Sequence, residues 1–259
     1  MKTRFFLPLL LLAGAPAVAA DQPAPASAAT EAQSPRAILQ AAIDAAGGEV
    51  WLSPRTLYLA GTAVFYAPDS ALPRSRATDY RMWREMNPGR TDAHQADGKV
   101  RIVARDGERL LFEVGFDGTT TWTEKGVMPK AEADAYWANN FGFGIIRQAL
   151  NDGFRLERAP DTEVGGHAVQ MIRIIDPHGA RTLFGIDRDS HYIRYMGFAT
   201  PRGFHVRTYD DFVMLDNPRW LQAREVSLYY DGVKANTVYW KEVKVNGPVD
   251  GDLFRFPGK

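Results

Sequence analysis

From Thr56 onward the chain is a succession of short apolar–polar runs separated by turn signals, and that pattern restricts it to a mainly β protein. The turn signals are Arg105-Asp106-Gly107-Glu108, Asp117-Gly118, Pro177-His178-Gly179, Asp187-Arg188-Asp189, Pro201-Arg202-Gly203 and Asp231-Gly232. Asp-Gly between two alternating runs is the signature of a tight hairpin, because both residues tolerate positive φ. The pattern predicts strands at Thr56–Tyr66, Asp79–Met86, Lys99–Arg105, Arg109–Phe116 and Thr119–Glu124. After an interruption it predicts Phe154–Arg158, Ala168–Asp176, Arg181–Asp187, Tyr192–Ala199, Phe204–Val213, Leu221–Tyr230 and Lys234–Val245. Hairpin following hairpin gives an antiparallel meander of about ten to twelve strands in one domain.

Many of these strands are apolar on both faces. Leu110, Phe112, Val114 and Phe116 share a face, yet Leu111 lies on the other. In Ala168–Asp176, Val169, Met171 and Ile175 oppose Ile172 and Ile174. A sheet with one wet face would alternate cleanly. Either something packs on each face, or the sheet curves around an apolar interior.

Two helical stretches complete the pattern. Ser34-Pro35 reads as an N-cap followed by Pro at the first helical position. Ile38, Leu39, Ala42, Ile43 and Ala46 then form one stripe before Gly47-Gly48 stops the helix. The interruption between Gly126 and Asp152 predicts two short helices joined by the link Asn139-Asn140-Phe141-Gly142-Phe143-Gly144, which reads as a hinge. A helical pair inserted into a meander has to cover a sheet face or the mouth of a curved sheet.

The N-terminus carries an export signal. Met1-Lys2-Thr3-Arg4 is basic, Phe5 to Leu12 is apolar, and Ala17-Val18-Ala19 is a small-x-small cleavage pattern. The apolar run is too short to span a bilayer. Residues 1–20 are expected to be a cleaved signal peptide, 21–34 a flexible Ala/Pro/Ser-rich lead segment, and 35–259 a single domain in the periplasm. The chain has no Cys. It therefore has neither an acylation site nor disulfides, and must be stable in an oxidising compartment through its core alone.

Catalytic chemistry finds little support. The five His show no metal-ligand spacing, and there is no G-x-S-x-G nucleophile elbow. Gly142-Phe143-Gly144-Ile145-Ile146-Arg147 ends in Arg where a dinucleotide fingerprint needs Gly. With 31 basic and 31 acidic residues, no nucleic-acid partner is expected. No metal or cofactor is expected either. The aromatics are more suggestive: they either fill a large β core or line a hollow for an apolar ligand. Trp137, Phe141, Phe143, Ile145 and Ile146 on the covering segment, with Phe112, Val114 and Trp122 on the strands, are the candidate ligand-binding residues.

Several segments, taken in order, resemble the LolA/LolB-like family of periplasmic lipoprotein carriers and outer-membrane lipoprotein-sorting proteins. These are Ala41–Gly48 followed by Leu57-Tyr58-Leu59-Ala60-Gly61; Phe116-Asp117-Gly118-Thr119-Thr120-Thr121-Trp122; Val164–Ala168 and Leu183–Asp187; and Val245–Pro257. The resemblance implies an α+β fold in which a strongly curved antiparallel sheet forms an unclosed β-barrel. An N-terminal helix and a mid-chain helical pair cover it, around a cavity for acyl chains. It implies a non-catalytic carrier whose partners are a lipid or an acylated protein and components of the inner or outer membrane. In the family an Arg on an early strand bonds to the cover, and Arg109 is the nearest candidate for such a gating residue. The sequence around Ala67–Asp97 is additional to a minimal carrier. The rival readings are an envelope-stress sensor or partner-binding module on the same fold, a hydrolase without a recognisable motif, and an outer-membrane barrel. The last is disfavoured by the ending Phe254-Arg255-Phe256-Pro257-Gly258-Lys259 and by strands without sustained apolar–polar alternation.

Overall fold

A computed structural model describes residues 33–68, 70, 72–140 and 142–258. The expected signal peptide and nearly all of the expected lead segment lie outside the described residues. Gln33–Lys259 is one compact unit. It opens with α1 (Pro35–Ala46) and the short α2 (Glu49–Leu52). The Ser34 hydroxyl accepts from the Ala37 amide (3.2 Å), and the Gly48 amide donates to the Ile43 carbonyl (2.9 Å), so both ends of α1 are capped by the residues that predicted them.

Thirteen strands follow among the described residues, all antiparallel. The first six are β1 (Thr56–Tyr66), β2 (Pro73–Glu85), β3 (Lys99–Asp106), β4 (Arg109–Phe116), β5 (Thr121–Thr123) and β6 (Gly126–Val127). Helix α3 (Lys130–Asn140) and a 3-10 turn (Phe143–Gln148) come next. The rest are β7 (Arg155–Val164), β8 (His167–Ile175), β9 (Arg181–Asp187), β10 (Ile193–Thr200), β11 (Gly203–Asp216), β12 (Arg219–Tyr230) and β13 (Val233–Val245). The predicted bounds of β1, β4 and β9 hold to the residue. Strand β6, α2 and the first half of β2 were not predicted; the last lies within the additional sequence.

The sheet order is β6-β5-β4-β3-β2-β1-β13-β12-β11-β10-β9-β8-β7. Every neighbour is consecutive in the chain except β1 and β13. Their pairing, from Leu57 with Val245 to Phe65 with Asn236, joins the two ends of the meander at the middle of the sheet. The strand order is therefore that of a ring opened between β6 and β7. The α3 and 3-10 segment is the chain that connects those two free edges.

The sheet is strongly curved. Phe112 of β4 and Ile193 of β10 line one cavity, although they stand seven strand spacings apart in the order. On a flat sheet that separation is about 34 Å. The fold is thus the expected unclosed barrel. One end of its interior is filled by α1, which packs Ile38, Leu39, Ala42, Ile43 and Ala46 among Ile172, Ile174, Phe184 and Ile186. On the other face of β8–β10, Gly185 leaves room for Met171, Val169 and the Cβ of Tyr195, and Gly197 leaves room for the Tyr195 hydroxyl, so that ring runs along β10.

Gly61 sits where β1 shifts register against both β13 and β2. A Cβ there would overlap the Tyr239 carbonyl oxygen, which is backbone and cannot turn aside. Gly61→Ala is expected to destabilise the fold by about 1–3 kcal/mol or more, read as a lowered urea midpoint with unchanged slope.

Candidate functional site

Between the hollow half of the barrel and its cover lies a cavity of about 280 Å³. Strands β1–β4 supply Leu57, Leu59, Phe65, Tyr80, Met82, Ile102 and Phe112, and β10–β13 supply Ile193, Tyr209, Phe212, Leu221, Val226, Val238 and Trp240. Trp51 of α2, Tyr136 and Asn140 of α3, and Phe143 and Arg147 close the other side. The aromatics interlock edge to face. Phe65 meets Phe112 at 5.8 Å, and Phe143 contacts Trp51 (6.3 Å), Phe184 (6.0 Å) and Tyr209 (5.2 Å).

The cover is held by polar bonds at one end and apolar packing at the other. The last carbonyls of a helix have no partner within it. At α3 they are met from the sheet. The Asn139 carbonyl accepts from the Tyr230 hydroxyl (2.9 Å) and His205 Nδ1 (2.8 Å), and the Asn140 carbonyl accepts from the Arg207 guanidinium (2.8 Å). Beyond α3, Ile145 and Ile146 are fully buried in the main core. Arg147 donates through Nε to the Trp51 carbonyl (2.8 Å), with its guanidinium 4.5 Å over the Trp51 ring.

Buried charge lies beneath the cover. Asp97 is 3% exposed and pairs with Arg84 at 2.8 Å and with Arg90 at 3.5 Å. Burial favours its neutral form, but Arg84, Arg90 and Arg147 outweigh that and hold its pKa below the usual carboxylate value. Arg90 donates to the carbonyls of Asp92, Ala93 and Gln95, so the loop before β3 folds around it. The loop between β2 and β3 thus sets a buried ion-pair group beside the cavity, of which Arg84 reaches the lining.

The glycines of the link serve close packing. Gly142 and Gly144 have no positive φ, but a Cβ on Gly142 would press into the Phe198 ring, and one on Gly144 would overlap Asp97 Oδ2. The hinge expected from sequence is instead a tight seat against the buried ion pair.

Of the sequence-predicted ligand residues, Phe112 and Phe143 line the cavity. Ile145 and Ile146 anchor the cover in the core without lining it. Val114 and Trp137 belong to a second cluster with Val100 and Ile102, where Trp137 Nε1 donates to Thr121 Oγ1 (2.8 Å). Trp122 pairs with Gly115, one residue out of phase with Phe112 and Val114, and so faces the opposite side of the sheet. There it donates to the Phe254 carbonyl (2.7 Å) beneath the C-terminal segment. Phe141 lies outside the described residues. Arg109 does not reach the cover: it stands on the β3–β4 turn, 68% exposed, and bonds Asp106 (3.1 Å) within that turn, with no hydrogen bond to the cover among the described residues. The arginine that does bond the end of α3 is Arg207 of β11. Its alternation with Phe204 and Val206 gave no sign of this, because only the sheet order brings β11 under α3.

The fold and cavity define a half-barrel with an internal apolar pocket under a helical cover. No protein-family model matches the sequence, and no curated protein matches it. Solved structures do match. A domain described as an outer membrane lipoprotein-sorting protein from Vibrio parahaemolyticus is 10% identical, covering 84% of this chain and 94% of its own, with a TM-score of 0.54. A LolA superfamily protein from Nitrosomonas europaea is 9% identical, covering 88% of this chain and 100% of its own, with a TM-score of 0.53. The chain has the LolA-like fold.

Two expectations follow from the cover. Gly144→Ala forces the Asp97–Arg84–Arg90 group apart and is expected to cost several kcal/mol, about the 3–5 kcal/mol of a broken buried pair, in chemical unfolding. His205 is fully buried against Phe198 at 4.6 Å. Burial first, then Arg207 and Arg202, push its pKa down to about 3, although the Asn139 carbonyl opposes the shift. Between pH 6.5 and 3 the unfolded state therefore binds a proton that the folded state refuses, and stability falls as pH is lowered through that window. His205→Phe keeps the ring and leaves Tyr230 on the Asn139 carbonyl. At pH 4.5 it should recover about 2–3 kcal/mol of the acid-induced loss, measured as the difference in pH slope between the two proteins.

Proposed function

We propose that the chain is an exported carrier or binding protein that holds the acyl portion of a lipid or of an acylated protein in the half-barrel cavity, without catalysing a reaction on it. The observation that carries this is the cavity, about 280 Å³ and lined mainly by aromatic and aliphatic side chains. Each methylene buried there gains about 0.8 kcal/mol, so an acyl chain needs little besides a shaped apolar surface and an entrance. The cavity lies at the small end of the roughly 300–1,000 Å³ of ordinary ligand pockets, a size for one chain with the cover closed. Among its described lining residues the hydroxyl groups are those of Tyr80, Tyr136 and Tyr209, and burial raises the pKa of all three. Phe112 and Phe143 are the proposed ligand contacts among those read from sequence, with Trp137 and Val114 supporting the neighbouring rim. The likeness to a lipoprotein-sorting domain supports the same reading, and the N-terminal signal pattern supports a periplasmic location.

A second reading, a partner-binding module, is favoured by an open groove of about 950 Å³ beside α3, bordered by Met86, Pro88, Met128 and the half-exposed Val127. One experiment separates the two. Protein purified from a periplasmic fraction without detergent should show a lipid-mass adduct in native mass spectrometry. The adduct should pass into organic solvent, and Phe143→Asp should abolish it. A clean protein mass that stays clean after incubation with acyl ligands would overturn the carrier reading, and a co-purifying protein would then favour the groove.

A further inference from the structure

The cavity is apolar in shape but not neutral in charge. Three arginines line it, Arg84, Arg147 and Arg207, and no carboxylate does among the described residues. Arg84 is answered by Asp97. Arg147 is 7% exposed, and Asp97, the carboxylate that acts on it, is already paired with Arg84 and Arg90. The Arg147 charge rests on aromatic faces, at 4.5 Å from Trp51, 5.5 Å from Phe143 and 5.6 Å from Trp220. Such contacts offset only part of the cost of a buried cation. Burial pulls its pKa down to about 10, which leaves it protonated at neutral pH. Arg207 donates to the Asn140 carbonyl and has no carboxylate partner among the described residues.

Tyr209 lies near both charges. Both guanidiniums act electrostatically on its hydroxyl, and Arg207 approaches the oxygen as a donor. The residue is 9% exposed and lines the cavity, yet no acceptor takes its hydroxyl proton among the described residues. A buried hydroxyl proton without an acceptor is costly. Beside two cations it is a donor waiting for an acceptor, and guanidinium groups bind carboxylate and phosphate oxygens in preference to neutral ones.

We propose that the cavity selects an anionic amphiphile, a single apolar chain ending in a carboxylate or phosphate, with the acidic group seated among Arg147, Arg207 and the Tyr209 hydroxyl. This rests on the carrier reading and adds the chemistry of the headgroup. A neutral ester or alcohol of equal chain length fills the same apolar volume but brings no anion to either cation.

The test is displacement of the neutral dye N-phenylnaphthylamine from the purified protein by laurate, dodecyl phosphate, methyl laurate and dodecanol. Laurate or dodecyl phosphate should displace it at least about tenfold more tightly than the ester and the alcohol. Whichever acid is tighter names the headgroup, and inorganic phosphate alone should not compete. Tyr209→Phe keeps the ring and should weaken the acids severalfold while leaving the ester unchanged. Arg207→Met should bring acid and ester together. Arg147→Met is the less clean variant, because Arg147 also packs on three rings. Equal affinity of acids and ester for the wild-type protein would overturn the anion inference and leave the carrier reading standing. Failure of every chain to bind would overturn both.

Discussion

Everything else in this fold depends on the pairing of the first strand with the last. Without β1 against β13, the chain would be two separate meanders with four exposed edges. With it, they become one continuous sheet whose two remaining edges, β6 and β7, are adjacent in the chain order. Strand twist curls such a sheet toward closure. Closure is not reached, and the connection between the two edges is helical. The cover is thus a consequence of topology: the segment that bridges the gap in the ring also roofs the space the ring encloses.

That space is hollow at one end because the two ends are filled differently. At β7–β9 the apolar stripe of α1 occupies the interior and makes a closely packed core. Toward β1–β4 no helix among the described residues fills the interior, and the large side chains Phe65, Tyr80, Phe112 and Trp240 pack in edge-to-face and tilted pairs around a void. The polar groups are placed economically. His205, Arg207 and Tyr230 satisfy the end of α3, and Asp97 neutralises part of the charge of Arg84 and Arg90. Arg147 and Arg207 line the void, with Asp97 shared among three arginines and no carboxylate paired with Arg207 among the described residues, so the polar character of the site sits under the cover.

Much of this was legible as local pattern. The cap at Ser34, the stop at Gly47 and the bounds of β1, β4 and β9 follow from short-range physics: an oxygen that can accept from a free amide, a residue that tolerates positive φ, side chains that alternate. The two-faced apolarity of β4 and β8 announced a curved or doubly packed sheet. The site was only half legible. Of the residues expected to bind ligand, Phe112 and Phe143 lie in the cavity lining. Trp122 lies on the other face, because it pairs with Gly115, and a one-residue phase difference reverses which side a strand residue serves. Arg109 was named because it starts an early strand, but position in the sequence says nothing about which strand lies under α3. The glycines at 142 and 144 looked like a hinge, since the sequence cannot show that Phe198 and Asp97 press against them.

The sequence by itself determined the class of fold: a long antiparallel meander, one capped helix and a helical interruption, all set by periodicity and by residues whose conformational preferences act over a few positions. Only the tertiary structure decided where the ring opens, which end stays hollow and which arginines face the cavity. Those outcomes arise from contacts between residues far apart in the chain, such as Leu57 with Val245 and Arg207 with Asn140. Local propensity is blind to them, because the free energy that selects them exists only once the sheet has curled.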